Sequence, residues 1–141
     1  MRAMCLAVAC LALAACAPTR SESMKRELSE LNRRAQALKA GQASEGQTLI
    51  AAFKEWAAKY NVRSQTFTLS KVDLAKGEVI VLTWPEAEGK PEGTFKLEPK
   101  LDGGCGPLGS VYSETSTEQC VVTQENEQSC EVFCVDIEQP E

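Results

Sequence analysis

Apolar residues at Met24, Leu28, Leu31, Ala35 and Leu38 recur in alternating steps of four and three, with Lys, Arg, Glu and Gln between them. That is the repeat of one helix face, and it predicts an amphipathic helix over 24–41, capped by Ser21–Ser23 and stopped by Gly41. Glu22 precedes Arg26 by four residues, and Glu30 precedes Arg34 by the same step, the favourable order for helical ion pairs. This segment reads equally as a helix packed on its own domain or as a stalk able to form a short coiled coil. A second helix is expected over about 47–59, where Leu49, Ile50, Phe53, Trp56, Ala57 and Tyr60 share one side. Ser44 and Gln47 have the spacing of a capping box for it.

After Asn61 the period changes from helical to alternating. Residues 62–72 contain Gln65-Thr66-Phe67-Thr68-Leu69, and Glu78–Trp84 (EVIVLTW) is the clearest strand. Further strands are expected at 94–101 and briefly at 110–113, with a terminal hairpin from 118–124 and 130–137. Trp84 reads as a core residue closing the sheet. The order helix, helix, then antiparallel strands predicts an α+β fold. Its expected form is an N-terminal helix or stalk plus a second amphipathic helix, packed on one small, mostly antiparallel sheet.

The N-terminus has a different pattern. Met1-Arg2 supplies positive charge, and Ala3–Ala15 is an unbroken run of small and apolar residues and two cysteines. A run of 13 residues is too short for a bilayer core, which needs about 20, and it reads as a secretory signal. Its end, Leu13-Ala14-Ala15-Cys16, resembles the lipobox of bacterial lipoprotein precursors. The resemblance covers only this segment. It implies a signal peptide over 1–15, cleavage before Cys16, a diacylglyceryl group on the Cys16 thiol, and a lipidated tether over 16–23. Two or three acyl chains would anchor the chain stably in a lipid bilayer. In enterobacterial lipoproteins an aspartate after the lipidated cysteine favours the inner membrane. Here Ala17 follows, which implies the periplasmic face of the outer membrane, with the inner membrane as the alternative.

This reading changes the cysteine arithmetic. Of seven cysteines, Cys5 and Cys10 leave with the signal and Cys16 goes to lipid. Cys105, Cys120, Cys130 and Cys134 remain, an even set that reads as two disulfides in an oxidising compartment. A hairpin centred near Glu125 would set Cys120 opposite Cys130, leaving Cys105 for Cys134. The close C-x-x-C pairs of a zinc site are missing. Cys105-Gly106-Pro107-Leu108 resembles the thioredoxin-type C-G-P-C, but Leu108 replaces its second cysteine, and the surrounding glycines read as a turn cluster.

Charge and chemistry narrow the function further. The net charge is −5, so the basic footprint of a nucleic-acid binder is missing. Residues 102–141 hold nine acids and no base. The chain has no histidine, which excludes Ser-His and Cys-His nucleophile pairs and histidine metal ligands. The paired carboxylates Glu86/Glu88 and Glu125/Glu127 fall in polar turns, where solvated glutamates are expected. No catalytic residue, cofactor or metal is assigned. The expectation is a periplasmic lipoprotein with its domain over 44–141, acting through contacts with an envelope protein. It would be an accessory or assembly subunit of an envelope machine. The alternative is a ligand-binding or sensing module with a pocket between helix and sheet.

Overall fold

The computed structural model describes residues 19–98, 105–112 and 117–137. The signal segment, Leu13-Ala14-Ala15 and Cys16 lie outside the described residues, as does the end of the strand expected at 94–101. Helix α1 spans Arg20–Gln36 and α2 spans Ala43–Lys59. Strand β1 (Arg63–Ser70) runs into a short helix α3 (Lys71–Ala75), which the alternating pattern did not announce. The remaining strands are β2 (Ile80–Trp84), β3 (Gly93–Leu97), β4 (Val111–Tyr112), β5 (Glu118–Glu125) and β6 (Ser129–Asp136).

Both long helices start four residues before the expected positions. At α1 the reason is a capping box: the Thr19 hydroxyl accepts from the Glu22 amide at 3.1 Å, and the Glu22 carboxylate accepts from the Thr19 amide at 3.5 Å. Ser21 and Ser23 therefore fall inside the first turn. At α2 the Ser44–Gln47 box does not form, because Ser44 is already helical and its carbonyl accepts from the Thr48 hydroxyl. The end of α2 is a Schellman motif. Asn61 adopts φ 52°, its amide donates to the Ala58 carbonyl, and the Val62 amide donates to that of Ala57. That reversal delivers the chain into β1.

The fold is α+β, with two helices on a four-stranded antiparallel sheet of order β1-β6-β5-β4. β2 and β3 do not join that sheet, as the one-sheet expectation required, but pair only with each other as a separate hairpin. The strand alternation explains how three layers are held. On one side Val121 and Val135 meet Leu49, Phe53 and Trp56 of α2 and Met24, Leu28 and Leu31 of α1. On the other side Cys120, Val122, Cys130, Val132 and Cys134 meet Leu82, Trp84, Phe95 and Leu97 of the hairpin. The central strand β5 is thus buried on both faces from Gln119 to Val122. Trp84 is a core residue as expected, edge-on to Phe67 and tilted against Phe95.

Two contacts fix the helices. Trp56 Nε1 donates to the Met24 carbonyl at 3.0 Å, tying α2 to α1. Asn32 and Gln119 exchange two side-chain hydrogen bonds, at 3.0 and 2.7 Å, tying α1 to β5. Burial of Gln119 is tolerable because both ends of its amide are engaged. Near its start α2 crosses the 105–109 turn backbone to backbone. A Cβ on Gly46 would fall on the Leu108 carbonyl oxygen, and Gly109 takes φ +85° beneath it.

The disulfides differ from the nested pairing. Cys120 bonds Cys134 and Cys105 bonds Cys130, so neither the 120–130 nor the 105–134 bridge exists. The cause is the position of the turn. Asn126 Oδ1 accepts from the Gln128 and Ser129 amides at 2.9 and 2.8 Å, and this Asx turn reverses the chain at 126–128 rather than at Glu125. A bulge between Val122 and Gln124 leaves Thr123 without a partner in the ladder. In this register Cys120 lies directly opposite Cys134, Cα to Cα 4.0 Å, while Cys130 faces Glu125. The 105–109 turn then reaches Cys130 across the same face, with a Cα separation of 6.4 Å.

Three outcomes are expected. Gly46→Ala, which would stabilise an ordinary helix, should here lower the urea midpoint and cost about 1–3 kcal/mol of overpacking. Peptide mapping without reductant should return only Cys105–Cys130 and Cys120–Cys134. Replacing either pair with alanines should lower the unfolding free energy by about 2–4 kcal/mol.

Candidate functional site

The residues singled out by sequence separate into distinct places. Cys105, Cys120, Cys130 and Cys134 are all buried in the layer between sheet and hairpin, and all are bonded. They act as staples. The Cys105-Gly106-Pro107-Leu108 turn carries no free thiol, since Cys105 is spent on Cys130. Two bridges of this kind fit an extracytoplasmic, oxidising compartment. No described helix is long and apolar enough to cross a membrane. Glu86 and Glu88 are exposed in the β2–β3 loop, and Glu125 and Glu127 are exposed at the β5–β6 turn. Glu86 and Glu88 line a shallow hollow of about 460 Å³ formed by their own loop, 86–91, and Glu125, without Glu127, lines another beside the 105–108 turn and pairs with Lys71 at 3.3 Å.

The layer between helices and sheet, where a ligand pocket was the alternative expectation, is filled by Leu49, Phe53, Trp56, Val121 and Val135, all buried. Concave surface lies elsewhere. A groove of about 820 Å³ runs between α1 and α2 on their outer side. Leu31, Ala52 and Trp56 form its floor, Glu27, Glu30 and Glu55 its acidic rim, and Ala58 and Lys59 its end.

At that end a cluster clamps the two helices together. The Tyr60 hydroxyl donates to Glu27 Oε2 at 2.5 Å, and Lys59 Nζ donates to both Glu27 oxygens at 3.0 and 3.1 Å. The Arg20 guanidinium lies over the Tyr60 ring, 5.6 Å from its centroid, and donates to the Tyr60 carbonyl. These contacts set the protonation of the group. The Glu27 carboxyl is held below the usual glutamate range, first by the Tyr60 hydroxyl and then by Lys59. Tyr60 is pushed up, chiefly by the same hydrogen bond, and Lys59 is raised by Glu27. Glu30 is lowered by its hydrogen bond from Arg33. Glu27 therefore remains an anion on the groove wall, and Tyr60 a neutral donor.

Sequence reasoning did not find this cluster. Tyr60 read as one more apolar position of the second helix, and nothing in the spacing set Glu27 apart from the other polar residues of the first. What joins them across 33 positions is the antiparallel placement of α1 on α2, which no local spacing encodes. No protein-family model, no curated protein and no solved structure matches this chain.

The clamp has a pH signature. A carboxyl whose folded value lies below its unfolded value stabilises the fold above the unfolded value, and that gain is lost as pH falls through the folded one. Glu27→Gln should lower the thermal midpoint at neutral pH. The gap from the unaltered protein should close as the pH falls below the usual glutamate range, as followed by circular dichroism.

Proposed function

We propose that this chain is a lipid-anchored protein of the bacterial envelope that works by holding another envelope protein rather than by catalysis. The observation that carries the reading is the box Leu13-Ala14-Ala15-Cys16 ahead of a domain closed by two disulfides. The first prescribes export and lipid, and the second suits the compartment that export would reach. Ala17 after the lipidated cysteine favours the periplasmic face of the outer membrane. The sequence holds no histidine, so no Ser-His or Cys-His nucleophile pair is present.

The inter-helix groove supports the choice of protein contact over small-molecule sensing. It is a wide open trough with an apolar floor of Leu31, Ala52 and Trp56 between two helices, the kind of surface that accepts an apolar-faced segment of another protein. A small-molecule site is more often enclosed.

Two measurements test this. Cys16→Ser should abolish palmitate labelling and release the protein from the membrane fraction; continued labelling would refute the anchor. Ala58 is exposed at the end of the groove. Crosslinking of the unaltered protein should capture an envelope protein in stoichiometric yield, and Ala58→Trp, which sets an indole across the end of the groove from an exposed position, should lose it. Capture that survives Ala58→Trp would remove the groove from the proposal.

A further inference from the structure

β1 ends the four-stranded sheet, and among the described residues no strand pairs with its outer side. It is eight residues long, and its pairing with β6 runs without a bulge from Arg63 to Ser70. Between Ser64 and Ser70 it contains no charge, no proline and no glycine. Edge strands are ordinarily blunted by such residues, by bulges or by shortness.

The hydrogen-bond parity of this edge can be read directly. The Lys71 amide donates to the Gln128 carbonyl, continuing the β1–β6 register by one step. In an antiparallel ladder each residue turns both of its main-chain groups to the same neighbour, and successive residues alternate. Residues 65, 67 and 69 therefore bond β6, and Ser64, Thr66, Thr68 and Ser70 turn their amides and carbonyls outward.

The stretch Ser64-Gln65-Thr66-Phe67-Thr68-Leu69-Ser70 is also close to a palindrome about Phe67. About a two-fold axis through Phe67 this sets like side chains opposite each other in every pair except Gln65 and Leu69. From these observations we infer that β1 pairs antiparallel with β1 of a second copy of this chain, joining two sheets into one of eight strands. In the register centred on Phe67, Ser64 opposes Ser70 and Thr66 opposes Thr68 on both sides of the axis. These are the residues whose main-chain groups face outward, and the four pairs would make about eight hydrogen bonds. Registers displaced by two residues would make fewer. Thr–Thr pairs lie on one face and the two Phe67 rings meet on the other, both favourable cross-strand combinations. No charge lies inside the paired stretch; at each end Arg63 would oppose Lys71 of the second copy, whose charge is already paired with Glu125.

The axis of such a pairing stands normal to the sheet, so both helix layers lie on one face. The start of α1 is tied to the carbonyl of Tyr60, just before β1, through Arg20. The two chains therefore enter on the same face, at opposite ends of the joined strands, about 27 Å apart along them. Two lipid tethers could reach one membrane from there. The pairing itself stands without the lipid reading, and its test is independent of membrane attachment.

The test is sedimentation equilibrium of the full chain in density-matched detergent. The unaltered protein should approach twice the monomer mass with rising concentration. Thr66→Pro removes an outward amide that β6 does not use, so it should abolish the dimer while keeping the disulfide map and the circular dichroism spectrum. The double change Thr66→Lys, Thr68→Lys sets like charges opposite each other across the axis and should weaken association at least tenfold even if the proline variant fails to fold. A monomer at roughly 1 mM, the weak end of specific association, would overturn the inference. So would a dimer that the lysine changes leave intact.

Discussion

The turn at Asn126 is the constraint from which the rest of this fold follows. One side-chain oxygen accepting from two successive amides sets where β5 becomes β6. With the bulge after Val122, that position decides which residues of the two strands share a face. The cysteines at 120, 130 and 134 then point to one side and Val121 and Val135 to the other. A slip of one residue would turn the bridges toward the helices and the valines toward the hairpin, and neither layer would close. The bridges and the register reinforce each other, since Cys120 can reach Cys134 only in the pairing that the turn imposes.

The sequence carries the elements more clearly than their assembly. The four-three repeat of Met24, Leu28, Leu31 and Ala35 identifies the buried stripe of α1, and Leu49, Ile50, Phe53, Trp56 and Ala57 that of α2, because burial selects apolar residues at helical spacing. Helix starts are less legible. Thr19–Glu22 and Ser44–Gln47 have the same capping pattern, and only the first forms. Alternation marks β2 and β3 as strands, but it cannot say whether they join the main sheet or lie across it. The disulfide partners turned on a displacement of about two residues in the hairpin, and polar residues filled the whole turn. The groove and its Glu27–Tyr60 clamp depend on how two helices meet, which is a tertiary fact.

The two sides of the sheet are held by different physics. On the helix side, apolar packing is supplemented by polar ties that must all be satisfied: the Trp56 indole on a carbonyl, and the Asn32 and Gln119 amides on each other. These specify one arrangement of the helices, because an alternative would leave a buried polar group unpaired. On the hairpin side, aromatic contacts among Phe67, Trp84 and Phe95 and two covalent bridges serve the same end with few hydrogen bonds. The helix side thus carries the charged, solvent-facing groove, and the hairpin side carries cross-links.

The burial of those bridges beneath β2 and β3 also separates the chemistry of making the protein from that of keeping it. All four sulfur-bearing residues are shut off from solvent, so neither an oxidant nor a reductant reaches them while the hairpin is seated. Thiol exchange therefore requires a local opening of the domain that exposes them. Once closed, the domain retains its cross-links by exclusion: the hairpin acts as a cover over a finished reaction, and a change in the surrounding thiol balance acts on it only as fast as that cover opens.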